Sequence, residues 1–345
     1  MAKRRVRMSM NEEMVSPISS KLKGLAGYSA GFTLFIAGSW ILYSHFGIDH
    51  TVALPEGLPG ERKTFASRSA GQLSYYRSQP GTAGRPLVLL HSINAAASAY
   101  EMRPLFLHYS AQRPVFALDW PGFGFSERPK RVYAPGIYEQ ALLEFLEKEV
   151  GEPADLVALS LGCEFAARAA LAQPDRIKSL ALISPTGFSL KNGDSGSQKA
   201  SRSGMSNLLH AAFAFPLWAR AFYDLIATRT SIQYFLQKSF IGAVPPDLVE
   251  YAYANAHQPG AEHAPLYFIS GKLFTPRIRQ LIYERLKVPS LVLYDRDGFT
   301  SFEMLPNLMM KNPAWQAVRL VPSLGLPHFE RLEDTAAVLD TFWKD

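Results

Sequence analysis

The sequence contains a single cysteine, Cys163, among its 345 residues. One cysteine excludes an intramolecular disulfide framework and any zinc or iron–sulfur site built from several cysteines. The eight histidines show no H-x-x-x-H or histidine–carboxylate spacing. No repeat with a period of about 20–50 residues and no low-complexity tract is present. From the cysteine and histidine content we expect no metal site, and we expect no cofactor.

Charge is concentrated at the start of the chain. The net charge is +6, and residues 1–23 carry six basic side chains against only Glu12 and Glu13. Because the remainder of the chain is close to neutral, the charge pattern argues against a nucleic-acid partner.

Residues 24–47 contain no Asp, Glu, Lys or Arg. Such a segment, at about 1.5 Å per residue, is long enough for a helix to cross a hydrocarbon core about 30 Å thick. Trp40 and Tyr43 near its far end suit a membrane interface. We expect a single-pass membrane anchor, with residues 1–23 cytoplasmic and the remaining chain on the opposite, periplasmic or extracytoplasmic, side. A docked amphipathic or buried helix is the alternative.

After a linker at 48–71, rich in Pro, Gly and charge, short apolar runs alternate with helical patterns. Runs such as 86–92, 155–160 and 290–295 end in small polar residues, as buried parallel strands do. This alternation predicts an α/β fold, with a mostly parallel sheet and helices on both of its faces.

The alternation is interrupted at 187–287, where aromatic-rich helical segments indicate an inserted helical cap. The predicted core is therefore divided into a first part, 72–186, and a second part, 288–345.

The strongest local motif is ALSLG at 158–162, where an apolar strand meets a helix of small residues. A serine on so sharp a turn, here Ser160, is pushed above the sheet, and the helix N-terminus below it favours developing negative charge. A simple helix-capping serine is the alternative interpretation. Two further motifs lie upstream, LLHSIN at 89–94 and DWPGFGFSERP at 119–129.

Together these segments resemble the α/β-hydrolase superfamily, and the resemblance covers about residues 72–345. DWPGFGFSERP resembles its D-x-P-G-x-G-x-S-x-x-P loop, ALSLG its nucleophile elbow, and LLHSIN the segment that carries half of the oxyanion hole. The resemblance implies an α/β-hydrolase fold with a helical cap. It also implies that Ser160 is the nucleophile and that the backbone N–H groups of Ile93 and Leu161 form the oxyanion hole. His91 would brace the loop.

The resemblance further implies a catalytic acid after the strand LVLY. Two aspartates stand there, and the family pattern favours Asp297 over Asp295, which would then form a turn.

The histidine segment, SLGLPHFE at 323–330, departs from the common pattern G-H-x-P-H-x-E. In that register Gly325 occupies the position of the base and His328 that of a supporting histidine. Other members place their only histidine beside an aromatic residue, as in His328-Phe329. We therefore expect His328 to be the base of a triad with Ser160 and Asp297. A literal register would leave the triad without a base.

The implied function is that of a membrane-anchored serine hydrolase that cleaves an ester, or a related acyl bond, through an acyl-enzyme and without a cofactor. The cap is aromatic and has no concentrated charge cluster, so we expect a small, largely apolar substrate. An acyltransferase or a carbon–carbon bond hydrolase would use the same residues. A catalytically impaired binding or scaffold protein is the alternative from another class, and it follows if Gly325 marks the loss of the base.

Overall fold

The structure, a computed structural model, describes residues 35–78, 83–190 and 198–344. The chain divides into two compact units, residues 1–48 and 49–345. In the first unit, residues 35–47 are helical (α1), with Phe35, Leu42 and Phe46 exposed to solvent. None of the helices in the described ranges is both long and apolar enough to cross a membrane. Part of the predicted anchor, residues 24–34, lies outside these ranges.

The second unit contains a sheet of eight strands in the order β1-β2-β4-β3-β5-β6-β7-β8. β1 and β2 form an antiparallel hairpin and β2 runs antiparallel to β4, whereas β3 to β8 pair in parallel. The mostly parallel sheet that the alternating pattern predicts is therefore present. The strands are β1 (Glu61–Ser67), β2 (Gly71–Arg77), β3 (Leu87–Leu90), β4 (Val115–Leu118), β5 (Ala154–Leu159), β6 (Ile177–Ile183), β7 (Ser290–Tyr294) and β8 (Trp315–Arg319).

Strand β1 lies inside the segment that the sequence assigns to the linker. Only Phe65 and Ser67 of β1 are buried, and its charged residues face solvent at the edge of the sheet. An edge strand of this kind lacks the continuous apolar run by which the inner strands are identified. The folded core therefore begins earlier than residue 72.

The two faces of the sheet are buried under two separate apolar clusters. Val88 and Leu90 of β3 belong to one cluster, and Leu87 and Leu89 belong to the other. This division arises because successive side chains of a strand point to opposite faces. Every residue of β3 is buried, which explains why the inner strands are continuous apolar runs.

Helices connect the strands and also make up the long segment between β6 and β7. That segment contains α5 to α10, at the place where the sequence predicts a cap. The helices of the second unit are α2 (Arg103–Tyr109), α3 (Pro135–Phe145), α4 (Gly162–Ala172), α5 (Gln198–Phe213), α6 (Ala219–Ile226), α7 (Arg229–Gln237), α8 (Pro246–Ala256), α9 (His263–Ile269), α10 (Ile278–Leu281), α11 (Leu305–Lys311), α12 (Pro327–Glu330) and α13 (Leu332–Phe342). We call 198–287 the cap.

The cap is fastened to the loop that follows β3. Tyr223 of α6 donates its hydroxyl to the carbonyl oxygen of Ala95 at 2.6 Å, and Asn255 of α8 donates to the carbonyl oxygen of Ala96 at 3.0 Å. Tyr223 and Asn255 are both buried. Since a buried polar group is stable only when its hydrogen bonds are made, these contacts fix the position of the cap over the β3 loop.

Candidate active site

Ser160 lies at the carboxyl end of β5, just before α4. Its φ is +53°, a left-handed conformation that costs a non-glycine residue on the order of 1 kcal/mol. The backbone N–H of Ser160 donates to the carbonyl oxygen of Ile183 at 2.9 Å and holds this turn in place. Within the described part of the chain the Ser160 hydroxyl has no hydrogen-bond partner. Ser160 therefore has the backbone geometry of a nucleophile elbow.

Gly162 allows the elbow to approach the loop after β3. A Cβ atom on this residue would lie only 2.4 Å from the carbonyl oxygen of His91. The same carbonyl oxygen accepts a hydrogen bond from the indole N–H of Trp120 at 2.9 Å. Because a backbone carbonyl held in this way cannot move aside, a side chain at position 162 would push the elbow away from the loop.

The backbone N–H groups of Leu161 and Ile93 are available for an oxyanion. Neither has an acceptor among the residues that the structure describes, although both residues are buried. Buried backbone N–H groups are almost always paired, so two unpaired ones at the same end of the sheet indicate a place for an oxygen of a ligand.

His91 and Glu101 hold the loop that carries Ile93. The Nε2 atom of His91 accepts the N–H of Trp120 at 3.0 Å, so its Nδ1 carries the proton and donates to the carbonyl oxygen of Ser92 at 2.6 Å. Burial lowers the pKa of His91 to about 3, which keeps the ring neutral. His91 thus has the bracing position that the family resemblance implies.

Glu101 holds the same loop through its side chain. Its buried carboxylate accepts the backbone N–H of Ser92 at 2.9 Å and the side-chain amide of Asn94 at 2.8 Å. Burial raises its pKa, whereas the hydrogen bonds from Ser92 and Asn94 act in the opposite direction. No sequence motif marks this residue, because its role depends on contacts that only the fold creates.

Asp119 organises the loop DWPGFGFS in the same way. Its carboxylate accepts the backbone N–H groups of Ala99 and Phe125, both at 2.9 Å. A Cβ on Gly124 would lie 1.9 Å from the Asp119 carboxyl carbon, and Gly124 has a φ of +54°, so this close wrapping requires glycine. Burial raises the pKa of Asp119 to about 6.

The two aspartates after β7 have different surroundings. Asp295 accepts the Nε–H of Arg319 at 2.8 Å and the backbone N–H of Ser323 at 3.0 Å. Although burial acts to raise its pKa, these two bonds lower it overall. Both carboxylate oxygens of Asp295 are therefore occupied by structural contacts.

The two carboxylate oxygens of Asp297 have different neighbours. Its Oδ1 atom accepts the backbone N–H groups of Phe299 at 2.6 Å and Thr300 at 3.2 Å. Its Oδ2 atom faces Gly325, since a Cβ placed on that glycine would lie 2.8 Å away. Burial raises the pKa of Asp297 despite the two backbone donors. Of the two candidates, Asp297 is the aspartate beside the position that the common family register gives to the base.

His328, the expected base, has its hydrogen bond to the backbone of Glu101. The ring is fully buried in α12, and its Nε2 atom lies 2.8 Å from the backbone carbonyl oxygen of Glu101. A carbonyl oxygen can only accept, so Nε2 carries the proton and the tautomer is fixed. The Nδ1 atom is buried and has no hydrogen-bond partner among the described residues. Burial lowers the pKa of His328 to about 4, so the ring is neutral at pH 7.

The structure therefore does not join His328 to Ser160 or to Asp297 by a hydrogen bond. In a triad, Nε2 takes the serine proton, but in His328 this nitrogen already holds a proton and donates it to Glu101. The observed geometry places Gly325 beside Asp297 and joins His328 to the backbone of Glu101, as the literal register of G-H-x-P-H-x-E would lead us to expect.

A segment of the cap packs on this side of the site. The Ser239 hydroxyl would lie 3.1 Å from a Cβ on Gly325. The carboxylate of Glu330 accepts the backbone N–H of Ile241 at 2.6 Å and that of Leu324 at 2.9 Å. Glu330 thus ties the cap to the segment that contains Gly325, and the glycine leaves room for Ser239.

Residues 87–338 match the model of the Alpha/beta hydrolase family. Because the match covers well over half of the chain and agrees with the sheet described above, this protein belongs to that family.

Individual relatives match over shorter stretches. The 2-hydroxymuconate semialdehyde hydrolase of Pseudomonas sp. (strain CF600) is 32% identical over 109 residues, which are 31% of this chain and 38% of that protein. The match therefore covers well under half of this relative.

Solved structures match more completely but at low identity. A serine hydrolase involved in carbazole degradation (CarC) has a TM-score of 0.64 and 15% identity, over 83% of this chain and 99% of its own. A membrane phospholipase A described as a bacterial virulence factor has a TM-score of 0.61 and 17% identity, over 95% and 97%. At these identities the likeness shows the fold.

Proposed function

We propose that this protein uses the α/β-hydrolase fold to hold an acyl ligand at Ser160 and the two oxyanion amides, without an internal base that would hydrolyse it. The observation that carries the proposal is the glycine at position 325, beside Asp297, together with the bond from His328 to Glu101. A serine hydroxyl is a weak nucleophile at neutral pH unless a neighbouring base takes its proton. The protein is then a catalytically impaired member of its family.

The class of ligand follows from the groups that face it. Two unpaired backbone N–H donors suit the oxygen of a carbonyl or carboxylate group. The cap carries several aromatic side chains, which favours a small, largely apolar acyl compound such as an ester. Ester hydrolysis, acyl transfer and carbon–carbon bond hydrolysis on these residues would each need a base at Ser160.

A gain-of-function experiment tests the proposal. The full chain, Gly325→His and Ser160→Ala are treated with a fluorophosphonate probe, and turnover of p-nitrophenyl butyrate is measured in parallel. We expect slow labelling of the wild type, labelling and turnover about 100-fold faster or more in Gly325→His, and none in Ser160→Ala. A Cβ atom at position 325 would lie 2.8 Å from Asp297 Oδ2, 3.1 Å from Ser239 Oγ and 3.3 Å from Ser239 Cβ, so both of these side chains have to shift to admit the histidine.

Gly136→His is the matched control, since a Cβ at Gly136 meets nothing within 4 Å and the change adds a histidine away from the acid. It should behave as the wild type. Rapid labelling and turnover by the wild type, not increased by Gly325→His, would overturn the proposal in favour of a working serine esterase.

We propose in addition that residues 24–47 anchor the protein in a membrane, with residues 1–23 cytoplasmic and the second unit on the opposite side. Support comes from the absence of charge in this segment and from the basic residues that precede it.

Fractionation tests the anchor. The full chain should stay with membranes after an alkaline carbonate wash, and a chain starting at Asp49 should be released. Release of the full chain by the wash would show that residues 24–47 do not span the bilayer.

A further inference from the structure

One side of the cap carries a group of large apolar side chains that are exposed to solvent. Leu208 and Leu217 are 66% and 64% exposed, and the other members are each more than a third exposed. Exposed apolar residues that are scattered singly need no explanation, whereas a contiguous group usually marks an interaction surface. We call this group the apolar cap surface: Met205, Leu208, Leu209, Phe215, Leu217 and Trp218.

The contacts of α5 separate its apolar exposed side from the side that attaches the helix to the cap. Ser206 donates its hydroxyl to the carbonyl oxygen of Ser270 at 2.6 Å. The ring of His210 has its centroid 3.9 Å from that of Tyr267. Residues 206 and 210 share one face because they are four positions apart, and Leu208 lies on the opposite face. The outward face of a surface helix is normally polar, so a leucine there points to a partner.

The turn between α5 and α6 continues this surface. The rings of Phe215 and Trp218 have centroids 4.5 Å apart, and the indole N–H of Trp218 donates to the carbonyl oxygen of Ala212 at 2.8 Å. Trp218 is nevertheless 40% exposed. Because its N–H is already bonded within the chain, the indole can be covered by an apolar phase without losing a hydrogen bond to water.

The charge pattern around the apolar cap surface is complementary to a bilayer that contains anionic lipids. Residues 203–219 contain no Asp, Glu, Lys or Arg, and Lys199 and Arg202 precede them. No acidic residue occurs between Asp194 and Asp224. A helix with an apolar face, a tryptophan beside it and a basic flank is typical of segments that lie in the interface of a membrane.

The length of the chain keeps this surface close to any membrane that holds residues 24–47. The charge-free segment ends at residue 47, and the second unit begins at Asp49. A unit of this size is about 50 Å across, so each point of its surface stays within about that distance of the membrane, whichever way the unit turns. A weak affinity is then sufficient, because the local concentration is high. This step, unlike the others, rests on the proposed anchor.

We propose that the apolar cap surface lies in the interface of a phospholipid bilayer, with Leu208, Leu217 and Trp218 inserted between the lipids. The proposal does not rest on the function proposed for Ser160. The cap is hydrogen-bonded to the loop that follows β3, so contact with the bilayer brings the candidate site near a phase in which apolar acyl compounds dissolve.

A fluorescent label on the cap tests this contact. Cys163 is fully buried, so a thiol-reactive nitrobenzoxadiazole label reacts with a cysteine introduced at the surface. The full chain with Leu208→Cys is labelled and reconstituted into vesicles of phosphatidylcholine and phosphatidylglycerol, with and without doxyl-labelled lipid. We expect the doxyl lipid to quench about half of the emission or more, because the label lies among the lipids.

Met310→Cys is the matched control. Met310 is an apolar residue that is 81% exposed, on α11 shortly before the amino end of β8. The cap follows the carboxyl end of β6, and β6 to β8 are parallel, so Met310 lies at the opposite end of the strands. Its label should be quenched much less than the label at position 208.

A charge added to the apolar cap surface provides a second variant. Leu217→Asp, introduced into the labelled Leu208→Cys chain, should lower the quenching by about twofold or more, since a carboxylate among lipids is costly. The exposure of Leu217 makes the change compatible with folding, and melting curves of each variant establish this.

Three results would overturn the contact with the bilayer. The first is a label at position 208 that is not quenched, or is quenched no more than the label at position 310. The second is quenching that Leu217→Asp leaves unchanged. The third is a blue-shifted emission at position 208 that doxyl lipid does not affect, because the surface is then covered by a second copy or by another segment of this chain.

The cap contact and the anchor fail separately. A full chain that resists the carbonate wash but has an unquenched label at position 208 would overturn the cap contact and leave the anchor in place. A chain that the wash releases, but whose label at position 208 is quenched on vesicles at neutral pH, would overturn the anchor and support the cap contact.

Discussion

The part of the site around Ser160, the elbow side, and the part around Asp297 and Gly325, the histidine side, differ in how fully they keep the geometry of a serine hydrolase. On the elbow side, Ser160 has its left-handed backbone and Gly162 lies against the β3 loop. Two backbone N–H groups there have no acceptor within the part of the chain that the structure describes. On the histidine side, Asp297 is present but glycine stands beside it, and His328 is bonded to Glu101. Binding of an acyl oxygen needs the first side, whereas deprotonation of the serine needs both.

The difference shows that packing and chemistry place separate demands on the closing segment. Glu330 joins the cap to this segment, and His328 fastens α12 to the backbone at Glu101. These contacts hold the segment in position without any side chain at residue 325. The fold can therefore be complete without a side chain at residue 325.

The largest expected effect comes from introducing a histidine at position 325 and then replacing Asp297. In Gly325→His, the additional change Asp297→Asn should lower turnover of p-nitrophenyl butyrate by about 100-fold or more, because the carboxylate orients and stabilises the imidazolium. The wild-type background provides the control, since Asp297→Asn should change its slow turnover much less. A gain in Gly325→His that survives Asp297→Asn would show that the new histidine does not work with Asp297.

A smaller effect is expected from a side chain on the elbow. Gly162→Ala should lower the free energy of unfolding by about 2 kcal/mol, since its Cβ would lie 2.4 Å from the fixed carbonyl of His91. Gly136→Ala, where nothing lies within 4 Å, should leave the stability unchanged or slightly higher. Urea unfolding of both variants measures the difference. Equal stability of the two variants would contradict the close approach of the elbow to the β3 loop.

An effect of similar size concerns the pH dependence that His328 imposes on stability. The unfolded chain takes up a proton at His328 near its ordinary pKa of 6.5, whereas burial lowers the native pKa to about 4. Stability from this group is therefore lost as the pH falls from about 6.5 to about 4. His328→Gln keeps a donor for Glu101 and has no such titration.

The stability difference between wild type and His328→Gln should consequently shift by about 2 kcal/mol against the wild type from pH 7 to pH 4.5. His91, whose pKa is also lowered, is present in both proteins and cancels. A difference that stays constant over this range would show that His328 titrates normally and is not buried as described.

Several features of the fold and of the candidate site can be predicted from the sequence, because they depend on the local pattern of residues. The parallel strands appear as apolar runs, and Ser160 is marked by the small residues around it. Strand β1 cannot be identified in this way, since its residues are mostly exposed. Glu101 lacks a motif, because its carboxylate acquires its partners only when the β3 loop folds over it.

The sequence also does not decide which of the two registers applies to the histidine segment. His328 is the sole histidine after β7, which favours it as a base, whereas the spacing to Glu330 favours Gly325 at that position. The decisive contact is the one between Nε2 of His328 and the carbonyl oxygen of Glu101, residues separated by 227 positions along the chain. Local pattern carries no information about a contact of this range.

The rate of labelling by a fluorophosphonate probe tests most directly whether His328 is a structural histidine or the base for Ser160. The fluorophosphonate labelling rate of folded His328→Gln is compared with that of the wild type at pH 7. The structure predicts rates that agree within about threefold, because the imidazole takes no proton from Ser160. A fall of about 100-fold or more would contradict it and return His328 to the catalytic triad.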